Sequence, residues 1–264
     1  MPKNLIAVIA ESLTCQTQAK QIALDLNLPL VTTESADFAY FLAVTPERLE
    51  LRKQGKPRIK PLFVDFLHGK NAYRNTRGKS SELISKAIGI KGNKDPKVLD
   101  ATAGFGGDSY VLANLGCDVI MIERSKIMAL LLADGLKRLF ENPAIHKLNL
   151  KLILADAKDY LAALKEDDRP DVIYLDPMYP NMSKTALSKI SMLVLRDIVG
   201  DDCDALDILL LALKCANKRV VVKRPRLAPE LGGHKPDIVF IGKSSRFDVY
   251  TVSRYANGRG KLDA

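Results

Sequence analysis

The chain has 264 residues, of which 47% are hydrophobic and 27% are charged, a composition typical of a globular protein. Its net charge of +9 is typical of proteins that bind polyanions, although such a charge also promotes solubility. The sequence contains no run of about 18 apolar residues, so it predicts no membrane span. The four cysteines and three histidines are too dispersed for a disulfide framework or a metal site. We therefore expect a cytoplasmic protein that holds no metal.

The first part of the chain, residues 1–75, is predicted to form a small N-terminal α/β domain. It contains the short apolar runs Leu5–Ala10, Phe38–Val44 and Leu62–Phe66, and we expect a helix over Gln18–Leu26. The sequence then becomes polar and basic, which is typical of a linker.

Residues 76–264 are predicted to form a larger domain in which strands alternate with helices. The predicted strands are Val98–Ala101, Val119–Ile122, Leu150–Leu154, Val172–Leu175 and Val220–Val222, and the predicted helices are Glu82–Ile88, Tyr110–Leu115, Lys126–Phe140, Lys184–Val199 and Ala205–Ala216. This alternation predicts a doubly wound, mostly parallel sheet with helices on both faces. The last runs, Asp237–Ile241 and Phe247–Val252, predict an antiparallel hairpin, which is typical of the Rossmann-like sheet of class I methyltransferases.

Glycines and acids follow the predicted strands, at the sheet edge where α/β proteins bind their ligands. The first strand leads into a turn that contains Gly104, Gly106 and Gly107 and then Asp108. Glu123 comes nineteen residues after Gly104, close to the spacing of about 20 at which an acid binds ribose hydroxyls. Asp156 follows the third strand, where it suits an adenine amino group, although a strand-terminal acid is also often only a helix cap.

The predicted cofactor is either a nicotinamide dinucleotide or S-adenosylmethionine, and the sequence matches the usual glycine pattern of neither. A dinucleotide fingerprint that starts at Gly104 needs glycine or alanine at position 109, which is Ser109. The usual adenosylmethionine pattern is also imperfect, because Thr102 replaces its first glycine. The residues after the fourth strand favour S-adenosylmethionine.

Those residues, Asp176-Pro177-Met178-Tyr179, are similar to the Asp/Asn-Pro-Pro-Tyr/Phe motif of methyltransferases that act on amino groups of bases. The lone pair of such an amino group is conjugated into the ring, so the nitrogen is a poor nucleophile. Asp176 and the Pro177 carbonyl could accept its two hydrogens and direct the lone pair toward the methyl group. Tyr179 could stack on a base that has rotated out of its helix. We therefore predict Asp176, Pro177 and Tyr179 as the catalytic residues.

Two basic stretches predict an RNA-binding surface. Arg52–Lys79 contains nine Lys/Arg and one acid, and Lys214–Arg226 contains six Lys/Arg and no acid. We expect such stretches to bind phosphates, although a charge run is also often only a solvated face. The candidate RNA-binding residues are Lys223, Arg224, Arg74 and Arg77.

Several blocks of the sequence resemble the family of ribosomal RNA small-subunit methyltransferase J. They extend over roughly residues 40–250 and include Thr45–Arg52, Lys86–Gly92, Val98–Gly104, Asp176–Pro180, Lys218–Pro225 and Arg246–Asp248. The resemblance implies methylation of a guanine N2 amino group in small-subunit (16S) rRNA. It also implies cofactor contacts at Gly107–Asp108, Glu123–Arg124, Asp156–Ala157 and Asp176. Gly107 stands where an arginine is common, Asp156–Ala157 replaces a pair of serines, and Tyr179 replaces a phenylalanine.

The sequence therefore predicts an S-adenosylmethionine-dependent rRNA (guanine-N2)-methyltransferase that acts on small-subunit rRNA or on the small subunit. Its predicted cofactor-binding residues are Gly104, Gly106, Gly107, Asp108, Glu123, Arg124, Asp156, Ala157 and Asp176. Two alternatives stay open: a methyltransferase of another amino group (adenine N6 or a protein glutamine), and a non-catalytic RNA-binding module.

Overall fold

The computed structural model describes residues 4–55, 60–68, 79–90, 96–145, 148–177 and 204–252. These residues form two β-sheets, one with four strands and one with seven. Among them, no helix is long and apolar enough to cross a membrane.

The four-stranded sheet is formed by the N-terminal part of the chain, in the order β2-β1-β3-β4. Its strands are β1 (Asn4–Ala10), β2 (Leu30–Val31), β3 (Phe38–Val44) and β4 (Leu49–Lys53). The central strand β1 is parallel to β2 and β3, and β4 is antiparallel to β3. Helix α1 (Gln16–Leu26) connects β1 to β2 and packs on the sheet through Ala19, Ile22 and Ala23.

The seven-stranded sheet has the order β10-β11-β9-β8-β5-β6-β7. Its strands are β5 (Lys97–Asp100), β6 (Asp118–Glu123), β7 (Leu150–Leu154), β8 (Val172–Leu175), β9 (Arg219–Pro225), β10 (Ile238–Ile241) and β11 (Ser245–Thr251). Strands β5 to β9 are parallel, so their carboxyl ends share one edge of the sheet. Strand β11 is antiparallel to both of its neighbours.

Helices cover both faces of this sheet. They are α2 (Lys79–Ile88), α3 (Gly107–Asn114), α4 (Lys126–Phe140), α5 (Ala157–Ala162) and α6 (Ala205–Cys215). Two of them begin at a polar cap that lies two residues after the end of a strand. Ser125 accepts a hydrogen bond from Met128 N, and Asp156 accepts one from Lys158 N. These caps place the residues between strand and helix at the carboxyl edge.

The alternation of side chains along the central strands divides the core into two layers. Tyr174 of β8 lies in the larger hydrophobic cluster, while Ile173 and Leu175 lie in the smaller one with α5 and α6. The larger cluster also includes residues of α1, β1, β3 and β4, so it joins the two sheets. The predicted domain division near residue 75 falls outside the described residues and stays a prediction.

Most of the predicted elements are confirmed. The helix Lys126–Phe140 and the strands Leu150–Leu154 and Val172–Leu175 have the predicted bounds. The apolar run Leu62–Phe66 forms only an isolated bridge between Leu62 and Leu51, and its buried side chains pack in the core instead. The predicted helix over residues 184–199 lies outside the described residues.

Candidate active site

The turn after β5 depends on two glycines and on Glu123. Gly104 and Gly106 have φ angles of +52° and +69°, a region that side chains with a Cβ rarely adopt. The backbone N–H of Gly104 donates to Glu123 Oε2 at 3.0 Å, and the N–H of Ser125 donates to Glu123 Oε1 at 2.7 Å. Glu123 is 7% exposed, so this carboxylate fixes the glycine-rich turn against the start of α4.

Thr102 connects the same turn to the end of β8. Its hydroxyl oxygen accepts a hydrogen bond from the backbone N–H of Asp176 at 2.6 Å, and its own N–H donates to Asp100 Oδ1 at 3.1 Å. Thr102 replaces the first glycine of the usual adenosylmethionine pattern, and its side chain positions the backbone of Asp176, the predicted catalytic aspartate.

Lys223 of β9 bridges two carboxylates. Its Nζ donates to Asp176 Oδ2 and to Asp108 Oδ2, at 2.6 Å in both cases. The hydroxyl of buried Tyr174 also donates to Asp108 Oδ2, at 2.7 Å. Burial alone would lower the pKa of Lys223, but the charges of Asp176 and Asp108 outweigh it and raise that pKa. Lys223 is therefore a permanent cation between the two carboxylates.

Asp100 is the most deeply buried acid of the site, with 2% exposure. It accepts hydrogen bonds from the Ser109 hydroxyl and from Thr102 N. Burial raises its pKa to about 7, the nearby charges of Asp108 and Asp176 act in the same direction, and the two hydrogen bonds oppose them. Below that pH the side chain is mostly neutral.

These groups surround one cavity of about 320 Å³ at the carboxyl edge of the seven-stranded sheet. All the predicted cofactor-binding residues except Gly106 line it, namely Gly104, Gly107, Asp108, Glu123, Arg124, Asp156, Ala157 and Asp176. Gly106 instead faces the core, where an added Cβ would lie 2.8 Å from Leu132 and 3.1 Å from Phe66. Pro177 follows Asp176 but does not line the cavity.

The predicted RNA-binding residues lie in different places. Lys223 lines the cavity, so it is not part of an open phosphate-binding face. Arg224 is 4% exposed and donates from Nη2 to the Pro229 carbonyl oxygen, which corrects the predicted phosphate contact, because a buried guanidinium cannot reach a phosphate. Arg74 and Arg77 lie outside the described residues, as does Tyr179 of the predicted catalytic set.

Three residues of the site were not predicted from the sequence. They are Asp100, Thr102 and Tyr174, which line the cavity. Thr102 contacts Asp176, Tyr174 contacts Asp108, and Asp100 accepts from the backbone of Thr102. Thr102 was noted only as a departure from the glycine pattern, and Tyr174 looks like an ordinary core residue of a buried strand. The position of each at a strand end was the signal that could have revealed them.

The comparisons with known proteins agree with this site. Residues 23–252 match the family model described as "Putative SAM-dependent methyltransferase". The "Ribosomal RNA small subunit methyltransferase J" of Coxiella burnetii (strain RSA 331) is 51% identical over 237 residues, which cover 89% of this chain and 92% of the relative. The protein of the same name from Aeromonas salmonicida is 46% identical, over 95% of this chain and 99% of the relative.

A solved structure gives the same result. The crystal structure of the SAM-dependent methyltransferase NGO1261 from Neisseria gonorrhoeae is 33% identical to the chain, with a TM-score of 0.71. The match covers 93% of this chain and 95% of that one, so it includes both sheets. Sequence, fold and the cavity at the carboxyl edge agree, and the chain belongs to this family of S-adenosylmethionine-dependent methyltransferases.

Proposed function

We propose that this protein transfers a methyl group from S-adenosylmethionine to the N2 amino group of a guanosine in small-subunit ribosomal RNA. The observation that carries the proposal is the position of Asp176, which lies in the same cavity as the glycine-rich turn, Glu123 and Asp156. The names of the relatives in Coxiella burnetii and Aeromonas salmonicida support the RNA substrate. We propose a cytoplasmic location, because bacterial ribosomes are found there.

The lining of the cavity suits this cofactor. S-adenosylmethionine supplies an electrophilic methyl group on a sulfonium, and it carries a second cation on its amino group. The acids of the lining outnumber its two cations, Lys223 and Arg124, which favours a positively charged ligand. We propose that Glu123 binds the ribose hydroxyls and that Asp156 lies near the adenine.

Arg124 and Ala157 complete this binding region. Arg124 extends from the end of β6 and forms an ion pair with Asp204 at 3.3 Å, which holds the start of α6 near the cavity. Ala157 is buried at the first residue of α5, so its small side chain leaves space for a planar ring. We propose that both contribute to the adenosine side of the site.

Asp176 is the residue proposed to orient the target amino group. Its backbone is fixed by Thr102 and its carboxylate by Lys223. The permanent charge of Lys223 favours the ionised carboxylate, which accepts hydrogen bonds and donates none. Asp176 and the Pro177 carbonyl would accept the amino hydrogens, so that the nitrogen lone pair faces the methyl group. Most of the acceleration would then come from positioning two bound substrates, with Tyr179 stacking on the base.

Methylation of isolated RNA tests the proposal. The protein is incubated with labelled cofactor and with small subunits or free small-subunit rRNA from a strain that lacks this gene, and the RNA is digested to nucleosides. We expect the label in N2-methylguanosine. Label in N6-methyladenosine or in a ribosomal protein would instead identify one of the two alternative amino groups. Tight RNA binding without any cofactor binding would indicate a non-catalytic module.

The variant Asp176→Ala tests the role of the carboxylate. We expect kcat to fall by roughly 100-fold or more, as is typical when a preorganised polar group at the reacting atoms is removed. Asp167→Asn is the matched control, because Asp167 lies in an exposed turn, Glu166–Asp168, before β8, and we expect it to keep wild-type activity. Equal activity of both variants would contradict the proposed role.

A further inference from the structure

The segment that follows β9 lies at the same sheet edge as the cavity. Strand β9 is parallel to β8, so residues 226–229 leave the sheet on the side where Asp176 ends β8. Leu227 is four residues beyond Lys223, whose ammonium is 2.6 Å from Asp176 Oδ2. Four residues span at most about 14 Å, so Leu227 lies within that distance of Lys223 along the chain, at the sheet edge where the cavity is found.

This segment is fixed by two guanidinium groups, those of Arg246 and Arg224. Arg246 of β11 donates from Nη1 to the carbonyl oxygens of Arg226 and Ala228, at 3.1 and 2.6 Å. Arg246 is itself held by two hydrogen bonds to Asp248, which is fully buried. Arg224 donates to the next carbonyl, that of Pro229, at 2.8 Å. The backbone on both sides of Leu227 is therefore held in one conformation.

Leu227 is the most exposed large apolar side chain in the part of the chain that the structure describes, at 92%. A single exposed leucine is common on protein surfaces and needs no explanation by itself. A leucine whose flanking carbonyls are both fixed from the core is different, because its position is already determined before any partner binds. Such preorganisation lowers the entropic cost of binding.

Two exposed cations lie next to this leucine. Arg226 precedes it, and the backbone N–H of Arg226 donates to the carbonyl oxygen of Ser244 at 3.1 Å. This contact brings the β10–β11 turn, which contains exposed Lys243, to the same corner. The hydrogen bonds to Asp248 are the main reason that the pKa of Arg246 is raised, and the nearby charge of exposed Glu230 adds to the effect. Arg246 therefore partly offsets the charge of Glu230 at this corner.

We propose that Arg226, Leu227 and Lys243 form an RNA-contact corner beside the methyl-transfer cavity. Arg226 and Lys243 bind phosphates on either side of the target nucleotide, and Leu227 fills the space that the target guanine leaves when it rotates into the cavity. A base in a helix has to leave its stack before its amino group can reach Asp176, which costs a few kcal/mol. An apolar side chain in the gap stabilises the bases that remain. The inference rests on the proposed function.

Kinetics on structured RNA test the corner. For Leu227→Ala we expect kcat on folded small-subunit rRNA to fall about tenfold, with an unchanged Kd for S-adenosylmethionine and near-normal activity in Leu227→Met. For Arg226→Ala combined with Lys243→Ala we expect a higher KM for RNA. The logarithm of the RNA association constant falls linearly with the logarithm of the salt concentration. For the double variant we expect the magnitude of this slope to decrease by nearly 2, because two phosphate contacts are lost.

A short single-stranded RNA that contains the modified position separates the two roles. No base has to leave a stack in it, so we expect the defect of Leu227→Ala to disappear while the defect of the double variant persists. The matched controls are Leu24→Ala and Lys20→Ala, which replace an exposed leucine and an exposed lysine of α1. We expect wild-type kinetics from both.

Three results are decisive. Wild-type kinetics of Leu227→Ala and of the double variant, on RNA that the wild-type protein methylates, would overturn the corner and leave the proposed function intact. A Leu227→Ala defect of equal size on the single-stranded RNA would overturn the gap-filling role. Failure of the wild-type protein to methylate any RNA would overturn the proposed function, and the corner with it.

Discussion

At the scale of single residues, Lys223 is the side chain on which the charges of the site depend. It contacts Asp108 and Asp176 at the same distance, 2.6 Å, so its charge favours the ionised form of both carboxylates. Without a cation between them, like charges this close raise each other's pKa. Lys223 acts through Asp176 and is a positioning residue in the proposed reaction.

Replacement of Lys223 by methionine should therefore change the pH dependence of catalysis as well as its rate. Removal of the cation takes away a charge that favours the ionised form of Asp176, so the acidic limb of kcat/KM should move to higher pH. Lys223→Arg retains the charge and should keep the limb at its wild-type position. A limb that is identical in the wild type and Lys223→Met would show that the ammonium does not control the ionisation of Asp176.

Asp100 gives a second prediction at this scale, which concerns stability. Its pKa in the folded protein is about 7 against an ordinary value of 3.8, so the folded state binds the proton more tightly than the unfolded chain. The stabilising contribution is complete below about pH 4 and is lost as the pH rises to 7. Since one pKa unit corresponds to about 1.4 kcal/mol, the loss between pH 5 and pH 8 is roughly 2–3 kcal/mol.

Asp100→Asn should remove this pH-dependent loss, because the amide is neutral and can still accept from Thr102 N and donate to the Ser109 hydroxyl. We expect the variant to be close to wild type in unfolding free energy at pH 5 and more stable at pH 8, measured by urea denaturation. Asp118→Asn, at the exposed start of β6, is the control. Parallel pH curves for the wild type and Asp100→Asn would contradict the shifted pKa.

At the scale of elements, helix α4 packs through a close contact on the segment 60–68, which lies between β4 and α2. Gly135 packs directly on residue 64, and an added Cβ would lie 2.5 Å from the Val64 side chain and 3.2 Å from its carbonyl oxygen. One turn later, Arg138 donates to that same carbonyl oxygen. The glycine is therefore needed for close approach, although it lowers the helix propensity of α4.

Two opposing effects determine the result of Gly135→Ala. Alanine gains about 1 kcal/mol in helix propensity, but forcing a methyl group into this contact costs about 1–3 kcal/mol. We expect a net loss of about 1 kcal/mol and a lower Tm, measured by thermal unfolding. Lys137→Ala is the control on the same helix, with a side chain that is 74% exposed. A higher Tm for Gly135→Ala would mean that α4 and the segment around Val64 can separate slightly at no cost.

Elements with strong local signals were predicted from the sequence, and those without were not. Helix α4 has a serine cap and a long apolar periodicity, and β8 is a short apolar run between charged residues, so their bounds could be predicted. Strand β4 was missed because its buried positions include Glu50 among charged neighbours. This acid is stabilised by Arg48 and Arg52, which no local pattern reveals.

In the candidate site, too, only the residues with a local sequence signal could be predicted. Residues at the ends of strands were predicted because the topology of α/β sheets fixes that edge. The contacts of Lys223 and Arg224 were not, because adjacent residues of a strand point to opposite faces and the basic stretch gave no indication of which face was buried. The stretch Lys214–Arg226 extends from the end of α6 along the whole of β9, from the amino edge of the sheet to its carboxyl edge, so it does not form one surface.

At the scale of the whole molecule, cofactor binding should stabilise the fold. A ligand that binds only the folded state at 100 times its Kd adds about 2.7 kcal/mol, which corresponds to about 5–10 °C in Tm for a chain of this size. We expect such a shift with S-adenosylmethionine and with S-adenosylhomocysteine in a thermal scan. NAD at the same concentration is the control, and an equal shift with NAD would contradict the assignment of the cavity.

The hydrophobic cluster that joins the two sheets has a consequence for synthesis of the chain. Strands β1 to β4 emerge from the ribosome long before α4, whose Leu131 and Leu132 pack in the same cluster. At about 5–20 residues per second, the apolar side chains of the first sheet remain uncovered for several seconds. We therefore expect chaperones to bind the nascent N-terminal segment during translation. Synonymous changes that slow translation before α4 should increase aggregation without altering the finished enzyme.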